Sequence, residues 1–171
     1  GSYATSYIPT SGSTVTRNQD LFTRDGIGSL INNNEGVLFG EISIDKNDTG
    51  TFRLISLTDA TNSVKIAFGK RELSTKWYIK VQIGGLNLSS YTINFEEGFQ
   101  KIAIRYKSGD NGVYINGTKV ITDTSSYTST LNIDNLSLDF NGGYYPFFGK
   151  VRQLQVYKEA LTDTELAELT S

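Results

Sequence analysis

Lys101-Ile102-Ala103-Ile104-Arg105-Tyr106, followed by Val113-Tyr114-Ile115-Asn116-Gly117, is the stretch on which the fold turns. Ile102, Ile104 and Tyr106 alternate with Ala103, Arg105 and Lys107, the period-two pattern of a half-buried strand. Ser108-Gly109-Asp110-Asn111-Gly112 supplies the residues of a hairpin loop, and Asn116-Gly117 is the strongest short hairpin signal in the chain, leading into Thr118 to Ile121. Downstream, a last strand is predicted over about Phe148 to Tyr157, then the step Ala160-Leu161-Thr162-Asp163-Thr164-Glu165-Leu166. Thr162 and Glu165 are spaced as a capping box, so one short helix starts there.

Working upstream, the same grammar repeats. Val37 to Ile44 reads as a strand with Leu38, Gly40, Ile42 and Ile44 on one face and Val37, Phe39, Glu41 and Ser43 on the other. Phe52 to Leu57, Val64 to Phe68 and Trp77 to Ile83 follow, then an alternating set Tyr91, Ile93 and Phe95. Leu136, Leu138 and Phe140 alternate with Ser137, Asp139 and Asn141. Gly, Asn, Asp and Ser clusters separate these runs, and no strand-helix alternation occurs. The fold class expected is all-β, antiparallel, a two-sheet sandwich or jelly roll with one C-terminal helix. No linker or repeat divides residues 1–171, so a single domain is expected, with an extended leading segment over 3–20 and a first edge strand at Thr14 to Arg17.

Composition narrows the chemistry. A chain of 171 residues is long enough for a real core, burying roughly 70% of its unfolded surface. It has no His and no Cys, which removes Ser-His-Asp and Cys-His catalysis and any thiolate zinc site. A net charge of −2 with interspersed signs shows no basic stripe for nucleic acid, and no apolar run is long enough to insert in a membrane. The absence of Met and the leading Gly1-Ser2 lead to the expectation of an excised piece of a longer protein carrying a cloning scar at 1–2.

The hairpin strands, Tyr114-Ile115-Asn116-Gly117, and Gly149 to Tyr157 with Ala160-Leu161-Thr162-Asp163 resemble the concanavalin A-like lectin/glucanase superfamily, in its laminin-G-like and pentraxin-like branch. The resemblance runs from about Gly36 to the C-terminus. It implies a jelly roll of two curved sheets, carbohydrate binding on a concave face or rim loops, and calcium as a frequent loop ligand. Ser6-Tyr7-Ile8-Pro9-Thr10-Ser11-Gly12-Ser13-Thr14-Val15-Thr16-Arg17 is similar to a segment that precedes such domains in phage tail fibres and adhesins, which implies an extracellular or virion-surface setting.

Asn141-Gly142-Gly143-Tyr144-Tyr145-Pro146-Phe147-Phe148 is the strongest candidate for a ligand loop. Its glycines let backbone approach a ligand, and Tyr144 and Tyr145 offer rings to a sugar face. Asp139 and Asn141 supply acceptors and amide donors, and Tyr78 points away from the core phase of Trp77, Ile79 and Val81. Asp45, Asn47 and Asp48 carry hard oxygen donors suited to calcium, although a plain hairpin turn accounts for the same residues. Glu41 and Asp45 have the i, i+4 spacing of a glycosidase pair, which needs carboxyls about 5–5.5 Å apart, but Ser43 stands where the glucanase motif has its central Asp. Arg71 and Glu72 are weaker rim candidates, and sequons at Asn47, Asn87, Asn116 and Asn135 matter only in a eukaryotic secretory setting. The reading is a non-catalytic module that binds a poly- or oligosaccharide without a required cofactor. The rivals are a structural domain that self-associates in a fibre, and a glycan-active enzyme.

Overall fold

The computed structural model describes residues 23–171 apart from 46, 49, 62, 129–131, 141 and 142. The expected leading segment, its Thr14 to Arg17 strand and the tail-fibre-like stretch lie outside the described residues, as does Asn141.

Among the described residues eleven strands and one α-helix follow in the order β1 (Thr23–Arg24), β2 (Glu35–Ser43), β3 (Arg53–Asp59), β4 (Lys65–Lys70), β5 (Trp77–Ile83), β6 (Leu86–Ser90), β7 (Gln100–Lys107), β8 (Asn111–Ile115), β9 (Thr118–Asp123), β10 (Ile133–Ser137), β11 (Lys150–Tyr157) and α1 (Asp163–Thr170), with a 3-10 turn at Gly28–Leu30 between β1 and β2. They form two antiparallel sheets, β1-β10-β3-β4-β5-β6 and β11-β2-β7-β8-β9. The architecture is an antiparallel jelly-roll β-sandwich with one short helix.

Period-two alternation decides what each strand buries. Leu38, Ile42, Ile44, Ile102, Ile104 and Tyr106 from one sheet meet Ile55, Leu57, Ile66, Phe68, Trp77, Ile79 and Val81 from the other in the main core. Each such side chain contributes about 1.5–3 kcal/mol by leaving water. Gly40 falls in this phase because the Phe68 ring occupies its place: a Cβ there would meet Phe68 Cζ at 2.6 Å.

The five-stranded sheet is covered on both faces. On its outer side Val37, Phe39, Ala103 and Tyr114 receive Leu166 of α1. The capping box starts this helix as expected: Thr162 N donates to Glu165 Oε2 at 2.8 Å, and Glu165 N donates to Thr162 Oγ1 at 3.3 Å. Buried Arg105 ties the helix down, its Nη1 reaching Asp163 Oδ1 at 2.8 Å and the Leu161 carbonyl at 3.1 Å. Asn116 and Gly117 both have positive φ, 47° and 78°, as a primed hairpin turn demands. That turn rests on the helix end, where Gly117 N donates to Thr170 Oγ1 at 3.1 Å.

Two expectations change. The strand after the Gly84-Gly85 turn is Leu86–Ser90, and Tyr91, Ile93 and Phe95 follow it in irregular backbone. Leu86 and Leu88 give only two core contacts in a run of polar residues, so the alternation was too short to stand out. The alternation through Leu138 and Phe140 also breaks. β10 ends at Ser137; Leu138 packs on the main core, whereas Phe140 crosses to the outer face of the six-stranded sheet.

Candidate functional site

The outer face of the six-stranded sheet carries, among the described residues, no helix. Its composition follows from register. One row across the sheet runs Asn135, Thr58, Lys65, Gln82 and Asn87, each opposite the next on the neighbouring strand. The next row runs Ser137, Ser56, Ala67, Lys80 and Ser89. The intervening residues Leu57, Ile66, Val81 and Leu88 point into the main core, so these rows point outward.

Beyond the polar rows the face turns aromatic. Leu54, Ala67 and Tyr78 form a small buried cluster with Phe52 and Phe140 packed against it. Around Tyr78 the ring centroids of Phe52, Tyr91 and Phe140 lie at 5.1, 5.4 and 6.2 Å. Tyr145 meets Phe52 at 5.0 Å and Phe140 at 6.2 Å. Cations border this cluster: Arg71 lies 5.0 Å over the Tyr91 ring and the Lys65 ammonium 5.2 Å over the Phe140 ring.

The loop after β10 is pinned to this face by its own backbone. Phe140 N donates to Tyr144 O at 2.7 Å, Phe147 N to Leu138 O at 2.9 Å, and Leu54 N to Tyr145 O at 3.2 Å. Tyr145 has φ +54°, a left-handed conformation costing a non-glycine residue about 1–2 kcal/mol. The flanking bonds hold it there and present its ring at the surface. Tyr144 is 70% exposed and Tyr145 38% exposed.

The expected site residues fare differently. Tyr144 and Tyr145 sit in the loop and at the surface, as a stacking platform requires. Tyr78 is on the predicted face but buried, because Phe52, Tyr91 and Phe140 close around it; burial first, then the neighbouring tyrosines, push its hydroxyl up to about 12. It therefore lies beneath the surface rings and is not one of them. Asp139 is also buried, at 3% exposure: Oδ2 accepts the Gly143 N–H at 2.9 Å, which closes the loop, and Oδ1 has no partner among the described residues. Its expected role as a ligand acceptor gives way to holding the loop. Trp77 is fully buried against Phe95, with 4.6 Å between ring centroids.

The expected calcium loop is built as a hairpin closure. Asp45 Oδ1 accepts Asn47 N at 2.8 Å, and Asp48 accepts Gly50 N at 2.7 Å and Arg53 Nε at 2.6 Å. The Arg53 guanidinium holds the Asp48 carboxyl below the usual carboxylate range, and the Lys70 ammonium lies on the Asp48 carbonyl. A divalent cation at this donor set would face two positive groups already in place. Among the described residues no group of three or more His, Cys, Asp or Glu side chains is arranged to hold a metal ion. The same loop borders an open pocket of about 890 Å³ lined by Asp45, Asp48, Glu97, Phe148 and Lys150. Its one ring, Phe148, has Arg53 stacked at 4.6 Å. The pocket thus offers one ring where the sheet face gathers several.

Glu41 and Asp45, the spacing-based hydrolytic candidates, sit in different settings. Glu41 lies on the outer face of β2 at 8% exposure, and its Oε1 accepts from Arg152 Nη1 at 2.9 Å. Asp45 is exposed in the loop beyond the strand end.

The residues missed at the level of sequence are Phe52, Lys65, Lys80, Asn87, Tyr91 and Phe140. Lys65 and Lys80 carried a signal, alternating with Val64 and Ile66 and with Ile79 and Val81. Strand order was needed to place them side by side.

No family model matches the sequence, and no curated protein is significantly similar to it. Solved structures do resemble it. The CBM40 domain of the Ruminococcus gnavus IT-sialidase, seen also bound to α2,6 sialyllactose, superposes with a TM-score of 0.64 at 13% identity, over 87% of this chain and 92% of that one. Domain 4 of AbnA, a GH43 extracellular arabinanase from Geobacillus stearothermophilus solved with arabinotriose, matches at 0.62 and 18% identity, over 86% and 70%. A SAP-like pentraxin from Limulus polyphemus matches at 0.60 and 17% identity, over 80% and 70%. These likenesses, all of concanavalin-like sandwich form, establish the jelly-roll fold of this chain.

Proposed function

We propose that this chain is a non-catalytic carbohydrate-binding module of a larger extracellular protein, and that the sugar lies on the outer face of the six-stranded sheet. One observation carries the reading: a ring cluster with exposed Tyr91 and Tyr145 adjoins two outward polar rows containing Lys65, Lys80, Gln82, Asn87 and Ser89. Pyranose rings have an apolar face and a hydroxyl rim. Aromatic rings take the first, and ammonium, amide and hydroxyl groups take the second. The rings are braced by one another and by backbone bonds, so little ordering is required on binding.

The structural neighbours add support, since two of them are sugar-binding by their own descriptions, sialyllactose for the Ruminococcus module and arabinotriose for the arabinanase domain. The commitment of Glu41 to Arg152 weighs against the glucanase-type pair. The test is a glycan array followed by calorimetric titration of the hits, with and without calcium. Saturable binding that Tyr91→Ala and Tyr145→Ala each weaken about tenfold supports the reading. Silence across a broad panel in both conditions refutes it.

A further inference from the structure

Among the described residues, five basic side chains are ion-paired: Arg53 with Asp48, Arg105 with Asp110 and Asp163, Lys107 with Glu35, Lys119 with Asp163 and Arg152 with Glu41. Lys65 and Lys80 are not, and they are neighbours on one sheet face. They stand on adjacent strands of the same outward face: Lys80 lies opposite Ala67, two residues along β4 from Lys65. Among the described residues neither has a carboxylate partner. Lys80 Nζ donates only to neutral oxygens, Asn87 Oδ1 and, at 2.9 Å, Ser89 Oγ. Lys65 rests over the Phe140 ring.

Two like charges held side by side and partly desolvated are unfavourable unless something offsets them. Burial first, and the charge of Lys65 second, lower the proton affinity of Lys80. A group that accepts from two ammoniums, and that carries negative charge, completes this arrangement. Aromatic rings at its border would hold the attached sugar.

We propose that Lys65 and Lys80 form an anion subsite on this face, so that the glycan it prefers carries a carboxylate or sulfate. The inference rests on the module reading above and names the class of sugar. Neutral glycans would occupy the aromatic part of the face and leave the lysine pair uncompensated.

The experiment uses matched glycans sharing one neutral core: lactose, sialyllactose as the carboxylated arm, and lactose sulfated on its galactose as the sulfated arm, beside a wider array with neutral, uronic-acid and sulfated members. Wild type, Lys65→Gln, Lys80→Gln and the double variant are titrated at low and high ionic strength. The expected result is preference for acidic members, an affinity loss of about tenfold per lysine removed, and weakening by salt. The two acidic arms tell carboxylate from sulfate. Thermal unfolding runs in parallel, because removing a repelling charge should leave Tm unchanged or higher while affinity falls. Neutral and acidic twins binding equally, with both lysine variants unaffected, overturn the anion subsite and leave the module reading standing. No binding by any member overturns both. A fall in Tm without any change in affinity assigns the lysines a structural role and overturns the subsite.

Discussion

The Tyr145 ring stands edge-on to Phe52, with 5.0 Å between centroids and an interplanar angle of 61°. This contact joins a loop residue held at positive φ to the sheet end beside β3, and it makes the loop part of the sheet surface. Phe52→Leu should therefore act mainly through the loop. The expected outcome is a modest stability loss, on the order of 1 kcal/mol, with glycan affinity reduced by about tenfold. Titration of the variant beside a denaturant melt checks both. Tyr144→Ala is the companion: an exposed ring is removed, stability stays within about 0.5 kcal/mol, and affinity falls if Tyr144 touches ligand.

Gly40 and Phe68 divide one space between the sheets. Gly40→Ala places a methyl carbon 2.6 Å from Phe68 Cζ, so the ring or the strand must move. A destabilisation of about 2 kcal/mol is expected, read as a denaturant midpoint shift at unchanged slope.

Asp59 governs the β3–β4 turn. Its buried carboxylate accepts Val64 N at 2.7 Å and Thr61 N at 3.2 Å, and Asp59→Ala leaves the buried Val64 N–H unpaired. The expected cost is about 2–3 kcal/mol. Asp59→Asn keeps an acceptor and should cost less.

Acid should weaken this fold through the same carboxylates. Asp48 lies below its ordinary value because of Arg53. Burial alone would raise Asp59, but the bonds from Thr61 and Val64 outweigh it and leave it lowered. Depressed folded values mean that the stability they contribute is fully present above an ordinary Asp pKa of about 3.9 and is lost as pH falls through the lowered values. Melts between pH 5 and pH 2 should therefore fall off below about pH 4, and Asp48→Asn should flatten part of that slope.

Trp77 is the sole tryptophan and is fully buried against Phe95. Its emission should be blue-shifted in the native protein and indifferent to saturating glycan. A ligand-dependent quench or shift would place the sugar nearer the core edge than the sheet face allows.

Much of the fold was legible because strand burial obeys a period of two. The inward phase of Leu38 and Ile42, of Trp77 and Ile79, and of Ile102 and Ile104 is the one the alternation implied. The Asn116-Gly117 turn and the Thr162/Glu165 cap were equally local, each written in two side chains. The site was legible only in part. Tyr144 and Tyr145 announced themselves as adjacent rings beside glycine, yet the burial of Tyr78 depends on Phe52, Tyr91 and Phe140 arriving from three other segments. Phe140 changed faces because β10 stops at Ser137, a backbone event with no marker in the alternation. The juxtaposition of Lys65 and Lys80 is a product of register, which no reading of one strand at a time supplies.

The most direct test is a two-dimensional amide and side-chain NMR titration of the labelled protein with a glycan that the array identifies. The account predicts shifts concentrated at Tyr91, Tyr145, Lys80, Asn87 and their strand neighbours on the outer six-stranded face. Shifts confined to the pocket around Asp45, Phe148 and Lys150, with that face silent, would contradict it.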